Sequence, residues 1–190
     1  MRLNRWIESI ACVLVFIVVS MRGSAVHTEE AMSPGSRLPV FKLNMPDSPQ
    51  VEAYLGMTGI KTFSLSQIPA KLIVVEFFNV FCPKCQESAA INNRLYKIIK
   101  DDKDLSKDIK MIGIALLGQP KHLSLFREKF KVEFPLFADP QGDIQAKTKI
   151  DSVPLILVVD KSGKVLMNRL GVMKDLDAFL LELRKRHTAQ

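Results

Sequence analysis

The distribution of apolar residues along the chain marks alternating strands and helices from about residue 38 onward. Leu38-Pro39-Val40-Phe41-Lys42-Leu43 alternates as a half-buried strand, Pro46–Met57 lacks a clear period and reads as loop, and Phe63–Ile68 reads as a second short strand ending at Pro69. Leu72–Phe78 is a continuous apolar, β-branched and aromatic run, the pattern of a strand buried on both faces. Ile91, Leu95, Ile98 and Ile99 follow at helical spacing. Ile109–Leu117 is a second buried strand, and Leu123, Phe126 and Phe130 mark a helix over Pro120–Lys131. Phe134–Phe137 is a short strand that Pro135 restricts to an edge or a strand start. Gly142–Lys149 is a short helix, and Leu155–Asp160 and Lys164–Leu170 form a hairpin about Lys161-Ser162-Gly163. Leu176, Phe179, Leu180 and Leu183 give the last helix its apolar face. Strands alternating with helices predict a layered α/β fold.

The beginning of the chain has a different pattern. Arg2 and Arg5 precede the apolar stretch Ile10–Val19, and Gly23-Ser24-Ala25 supplies small residues where a signal peptidase cuts. Residues 1–25 are expected to be a secretory signal peptide, 26–37 a flexible lead and 38–187 one domain. An uncleaved membrane anchor is the alternative, although ten apolar residues are short for a spanning helix. Cleavage would remove Cys12 and leave Cys82 and Cys85, in an oxidising compartment. It would also leave 24 basic and 19 acidic residues, a formal +5, mostly lysine scattered on helix faces. No nucleic-acid motif accompanies that charge.

The candidate chemistry lies where the buried run Leu72–Phe78 passes through Cys82-Pro83-Lys84-Cys85 into a helix. Strand, CxxC, helix is the setting of a redox pair rather than half a metal site. A helix N-terminus favours a thiolate over a thiol, so Cys82, ahead of the first turn, is expected to attack. Cys85, one turn in, is expected to resolve. Lys84 adds a cation nearby, and Pro83 suits the first turn, where its missing N–H is not needed. Glu76 stands inside the apolar run, six residues before Cys82. A buried acid is costly unless it is used, and a task exists here: passing protons to and from the resolving thiol. The alternative places Glu76 at a solvated sheet edge.

EFFNVFCPKC, with its acid six positions before the first cysteine, resembles the active-site segment of thioredoxin-fold oxidoreductases. From about Leu38 to Arg186 the chain resembles the extracytoplasmic TlpA/ResA-like, AhpC/TSA-related branch. Seventy-two positions separate Cys82 from Pro154, room for one more strand–helix unit than thioredoxin carries. The resemblance implies a thioredoxin-like fold with a central mixed sheet flanked by helices, an added N-terminal β-hairpin and that extra unit. It implies that Val153-Pro154 is a cis-proline pair packed against the cysteines and contacting substrate. It also implies a bacterial periplasmic enzyme that exchanges disulfides with client proteins, is re-reduced by a membrane thiol carrier, and uses neither cofactor nor metal. Membrane association is expected only if the signal is uncleaved. The reducing direction, with cytochrome c precursors as clients, is favoured over a DsbA-like oxidant. A peroxiredoxin-like peroxide reductase would carry threonine or serine where Asn79 stands. A copper module would need a different cysteine spacing and a histidine ligand, and His122 and His187 lie on expected helix surfaces.

Overall fold

The computed structural model describes residues 32–190; the expected signal peptide, and residues 26–31 of the expected lead, lie outside the described residues. The strands are β1 Leu43–Asn44, β2 Thr62–Phe63, β3 Leu72–Phe78, β4 Ile109–Leu116, β5 Leu136–Asp139, β6 Leu155–Asp160 and β7 Val165–Leu170. The helices are α1 Pro49–Leu55, α2 Pro83–Asp101, α3 Leu105–Asp108, α4 Pro120–Phe130, α5 Asp143–Thr148 and α6 Leu176–Thr188. Five strands form one sheet in the order β5-β4-β3-β6-β7. β3 runs parallel to β4, and β4 parallel to β5, whereas β6 is antiparallel to both β3 and β7.

The central position of β3 explains its uninterrupted apolar sequence, since all seven of its residues are buried. Leu72, Val74 and Phe78 face a core with α2, α4 and α6, while Ile73, Val75 and Phe77 face a second core built with the N-terminal segment and α5. Gly113 of β4 pairs with Glu76 of β3. A Cβ at Gly113 would lie 2.5 Å from Leu136 Cδ2 and 3.2 Å from the Phe78 ring, so the absence of a side chain lets these groups close over the strand.

The N-terminal expectations need three corrections. The strand expected over Leu38–Leu43 is confined to Leu43–Asn44: Leu38 and Phe41 are buried, but Val40 is 77% exposed, and the Leu38 N–H donates to the Gly163 carbonyl instead of a strand partner. The loop expected over Pro46–Met57 contains α1. Ser48 caps it by accepting from the Val51 N–H, Pro49 occupies the first turn, and Gly56 ends it with φ 66°. The strand expected over Phe63–Ile68 stops at Phe63, and a 3-10 turn follows at Leu65–Gln67. β1 and β2 do pair antiparallel, as a separate two-stranded sheet with α1 between its strands rather than a tight hairpin.

Residues 32–37, expected within the flexible lead, are docked. Met32 is buried, the Gly35 N–H donates to the Val165 carbonyl, and the Val165 N–H donates to the Ser36 carbonyl. This segment covers the outer edge of β7, where unpaired backbone groups would otherwise face solvent. Tyr54 of α1 serves β4 in a similar way. β5 pairs only with Gly113–Leu116, and the Tyr54 hydroxyl accepts from the Met111 N–H at 2.8 Å and donates to its carbonyl at 3.4 Å.

Candidate active site

The site forms where β3 and β4 end and α2 begins, and Asn79 builds the connecting loop. Its side-chain N–H donates to the Leu116 carbonyl at 3.2 Å, tying the loop to β4. Its Oδ1 accepts the Phe81 N–H at 2.9 Å, and its backbone carbonyl accepts the Cys82 N–H at 3.1 Å. Gln86 closes the turn by donating to the Val80 carbonyl at 3.0 Å. Cys82 is the N-cap of α2 in extended conformation, its carbonyl accepts the Gln86 N–H, and Pro83 fills the first helical position.

The two thiols occupy different environments. Both are free; Cys82 is half-buried and Cys85 has no exposed surface. Burial drives the Cys85 thiol far above the usual thiol range. A backbone hydrogen bond at Asn79 opposes that rise, whereas Cys82 and the charge of Glu76 add to it. Cys85 therefore needs a proton acceptor before it can act as a nucleophile. Lys84 is exposed.

Glu76 is the buried acid whose charge acts on Cys85. It lies on β3 at 4% exposure, among the residues of the α2-facing core, so the solvated-edge alternative does not hold. Burial raises its carboxyl to about 8, and a hydrogen bond from Asn92 Nδ2, 2.8 Å from Oε1, limits the rise. A carboxyl of this kind is mostly protonated at neutral pH yet near enough to neutrality to exchange a proton.

Val153 and Pro154 stand opposite Cys82. The peptide between them is cis, the Val153 carbonyl lies 3.9 Å from Cys82 Sγ, and the Pro154 carbonyl accepts the Gly171 N–H at 2.8 Å. Val153 is half-buried and Pro154 buried. Phe81, next to Cys82, is 67% exposed and makes an edge-on contact with the His122 ring. His187 is far from an exposed surface histidine: its side chain is 13% exposed and its Nε2 lies 2.8 Å from the Asp108 carboxylate. No group of three or more metal-ligating side chains is assembled among the described residues.

Asn79, Phe81 and Asn92 were not among the residues the sequence singles out as site residues. Asn92 had a detectable signal: it follows Cys85 by seven residues, two helical turns along the same face, and a buried acid on the facing strand requires a donor.

Comparison with known proteins agrees with this architecture. The AhpC/TSA family profile matches residues 34–167. The thiol-disulfide oxidoreductase ResA of Geobacillus kaustophilus is 25% identical over 114 residues, 60% of this chain and 62% of the relative. The matched part thus spans a little over three-fifths of that relative's length. ResA of Bacillus thuringiensis is 22% identical over 143 residues, 75% of this chain and 73% of the relative. Among solved structures, the thioredoxin domain of a thiol-disulfide oxidoreductase from Bacteroides vulgatus superposes with a TM-score of 0.60 at 19% identity, over 80% of this chain and 97% of that one. StoA from Bacillus subtilis gives 0.56 at 16% identity, over 78% and 97%. The fold is thus thioredoxin-like, a central mixed sheet flanked by helices, and the chain belongs to the AhpC/TSA family.

Proposed function

We propose that this protein is an exported thiol–disulfide oxidoreductase that exchanges its Cys82–Cys85 pair with client proteins through a mixed disulfide. The observation that carries the reading is the graded burial of the site: a half-exposed Cys82 at the start of α2, a wholly buried Cys85 in its first turn, and a buried acid, Glu76, whose charge acts on Cys85. The similarity to ResA proteins supports it.

In the reducing direction, Cys82 Sγ attacks a client disulfide. One client sulfur leaves as a thiolate, which takes a proton from water, and the other is bound to Cys82. The Cys85 thiol then gives its proton to the Glu76 carboxylate and attacks Cys82 Sγ, releasing the second client sulfur as a thiolate that also takes a proton from water. The pair gives up two electrons and becomes a disulfide, and the client gains two thiols. A membrane dithiol carrier restores the pair: one of its thiolates attacks Cys82 Sγ, and Cys85 departs and takes back the proton held by Glu76. The carrier's second thiol then attacks its own mixed-disulfide sulfur, releasing Cys82 and leaving the carrier as a disulfide. Val153 presents backbone polar groups to an extended client segment, and Pro154 supplies an apolar wall.

Residues 1–25 are read as the export signal and 38–187 as the catalytic domain, acting in the bacterial periplasm. No helix among the described residues is long and apolar enough to cross a membrane. The reducing direction, with cytochrome c precursors as clients, follows from the family resemblance. Two assays test the proposal. Catalysed reduction of insulin should disappear in Cys82→Ser; persistence of full activity would refute the exchange reading. Equilibration with glutathione should give a potential near that of thioredoxin, about −270 mV, whereas a value near about −120 mV would make the protein an oxidant.

A further inference from the structure

Asn92 is a buried amide in the α2-facing core, with 0% of its surface exposed. Its Nδ2 donates to Glu76 Oε1 at 2.8 Å, while its Oδ1 is buried without a hydrogen-bond partner. An orphaned buried acceptor is rare and calls for an explanation. An N–H held against Oε1 takes one of its two lone pairs and makes it the less basic of the two oxygens. The exchangeable proton is thereby directed to the other oxygen, Oε2. That proton is also the donor that would satisfy Asn92 Oδ1, completing a two-bond acid–amide pair when the carboxyl is neutral.

We infer that Asn92 is a positioning residue that holds the Glu76 carboxyl by Oε1 and so assigns Oε2 as the oxygen that exchanges protons with Cys85. The inference rests on the proton-relay reading of Glu76. The surroundings leave few other groups to set this behaviour. Cys85 is the titratable group of α2 that interacts with Glu76, while the strand partners of Glu76 are Gly113 on β4 and Ile156 on β6. The Asn92 N–H favours the ionised carboxyl and opposes the effect of burial.

The test uses the full chain and 5,5′-dithiobis(2-nitrobenzoic acid). One thionitrobenzoate is released when Cys82 forms its mixed disulfide. A second is released when Cys85 resolves it, and the rate of that second phase reports deprotonation of Cys85. In the wild type the rate should rise with a midpoint near pH 8. Loss of a hydrogen bond to a charged group shifts a titration by about one to two pH units, so Asn92→Leu should move the midpoint up by that amount and slow the phase at pH 7 about tenfold or more. Asn92→Asp, which keeps the amide's shape but puts a second carboxyl beside Glu76, should shift in the same direction through like-charge repulsion and carries the test if the leucine variant does not fold. In a Glu76→Gln background, Asn92→Leu should leave the pH profile unchanged. If Glu76→Gln itself retains the rise near pH 8, the relay reading fails. If Glu76→Gln abolishes the rise but folded Asn92 variants keep the wild-type midpoint, the relay stands and the positioning role of Asn92 is overturned.

Discussion

Replacing Glu76 with glutamine should stabilise the protein, and by an amount that depends on pH. The carboxyl has an ordinary value of 4.5 and is raised to about 8 in the fold. Between those values the unfolded chain has released this proton and the native state still holds it. Native stability therefore falls as pH rises, by about 1.4 kcal/mol per unit for one proton. The cost is absent below pH 4.5 and complete above pH 8, where it reaches roughly 5 kcal/mol. Glutamine is neutral throughout and nearly the same size. It keeps an acceptor for Asn92 Nδ2 and adds a donor that can serve the orphaned Oδ1. Urea denaturation of both proteins in the dithiol form, from pH 4.5 to 9, isolates the effect because every other titrating group is shared. The variant's advantage should widen steadily up to about pH 8 and then level off. A constant difference across the range, or one that widens toward acid pH, would refute the account of Glu76 as a buried acid held neutral.

Two further substitutions test the surroundings of the site. Tyr54→Phe leaves the Met111 N–H without its partner and should cost about 1–3 kcal/mol by urea denaturation. A cost near zero would mean that the hydroxyl does not secure the β4 edge. Phe81→Ala removes a ring that is largely exposed, so stability should change by no more than about 0.5 kcal/mol. If Phe81 meets clients beside Cys82, insulin reduction should slow while the reaction with a small aromatic disulfide is maintained; equal slowing of both would assign Phe81 to the local chemistry instead.

Much of this architecture is legible because burial and periodicity coincide. β3 reads correctly to the residue because a central strand covered on both faces has little room for polar positions, and its single exception, Glu76, is thereby conspicuous. α1 is less visible: among its seven residues only Leu55 is buried, so no apolar stripe forms, and its signature is the Ser48-Pro49 start and the Gly56 stop. The 3-10 turn after Phe63 follows from Ser64 and Gln67, whose mutual hydrogen bonds favour a turn over a strand. The polar residues of the site are hidden for a different reason. Asn79 acts through three bonds to loop and strand backbone, and Asn92 through one carboxyl on another element. A linear pattern records that these residues are polar but not which group each one meets.

The claim that Cys82 attacks and Cys85 resolves is tested most directly by trapping the intermediate. Cys85→Ser retains the half-exposed thiol of Cys82 and removes the buried one that would release the client. Incubated with a disulfide-bonded protein and examined by non-reducing mass spectrometry and peptide mapping, this variant should accumulate a stable mixed disulfide at Cys82. Under the same conditions the wild type should turn over without accumulating it, and Cys82→Ser should form none. An adduct that forms on Cys85 in the Cys82→Ser protein, together with an inert Cys85→Ser protein, would reverse the assignment and contradict the mechanism.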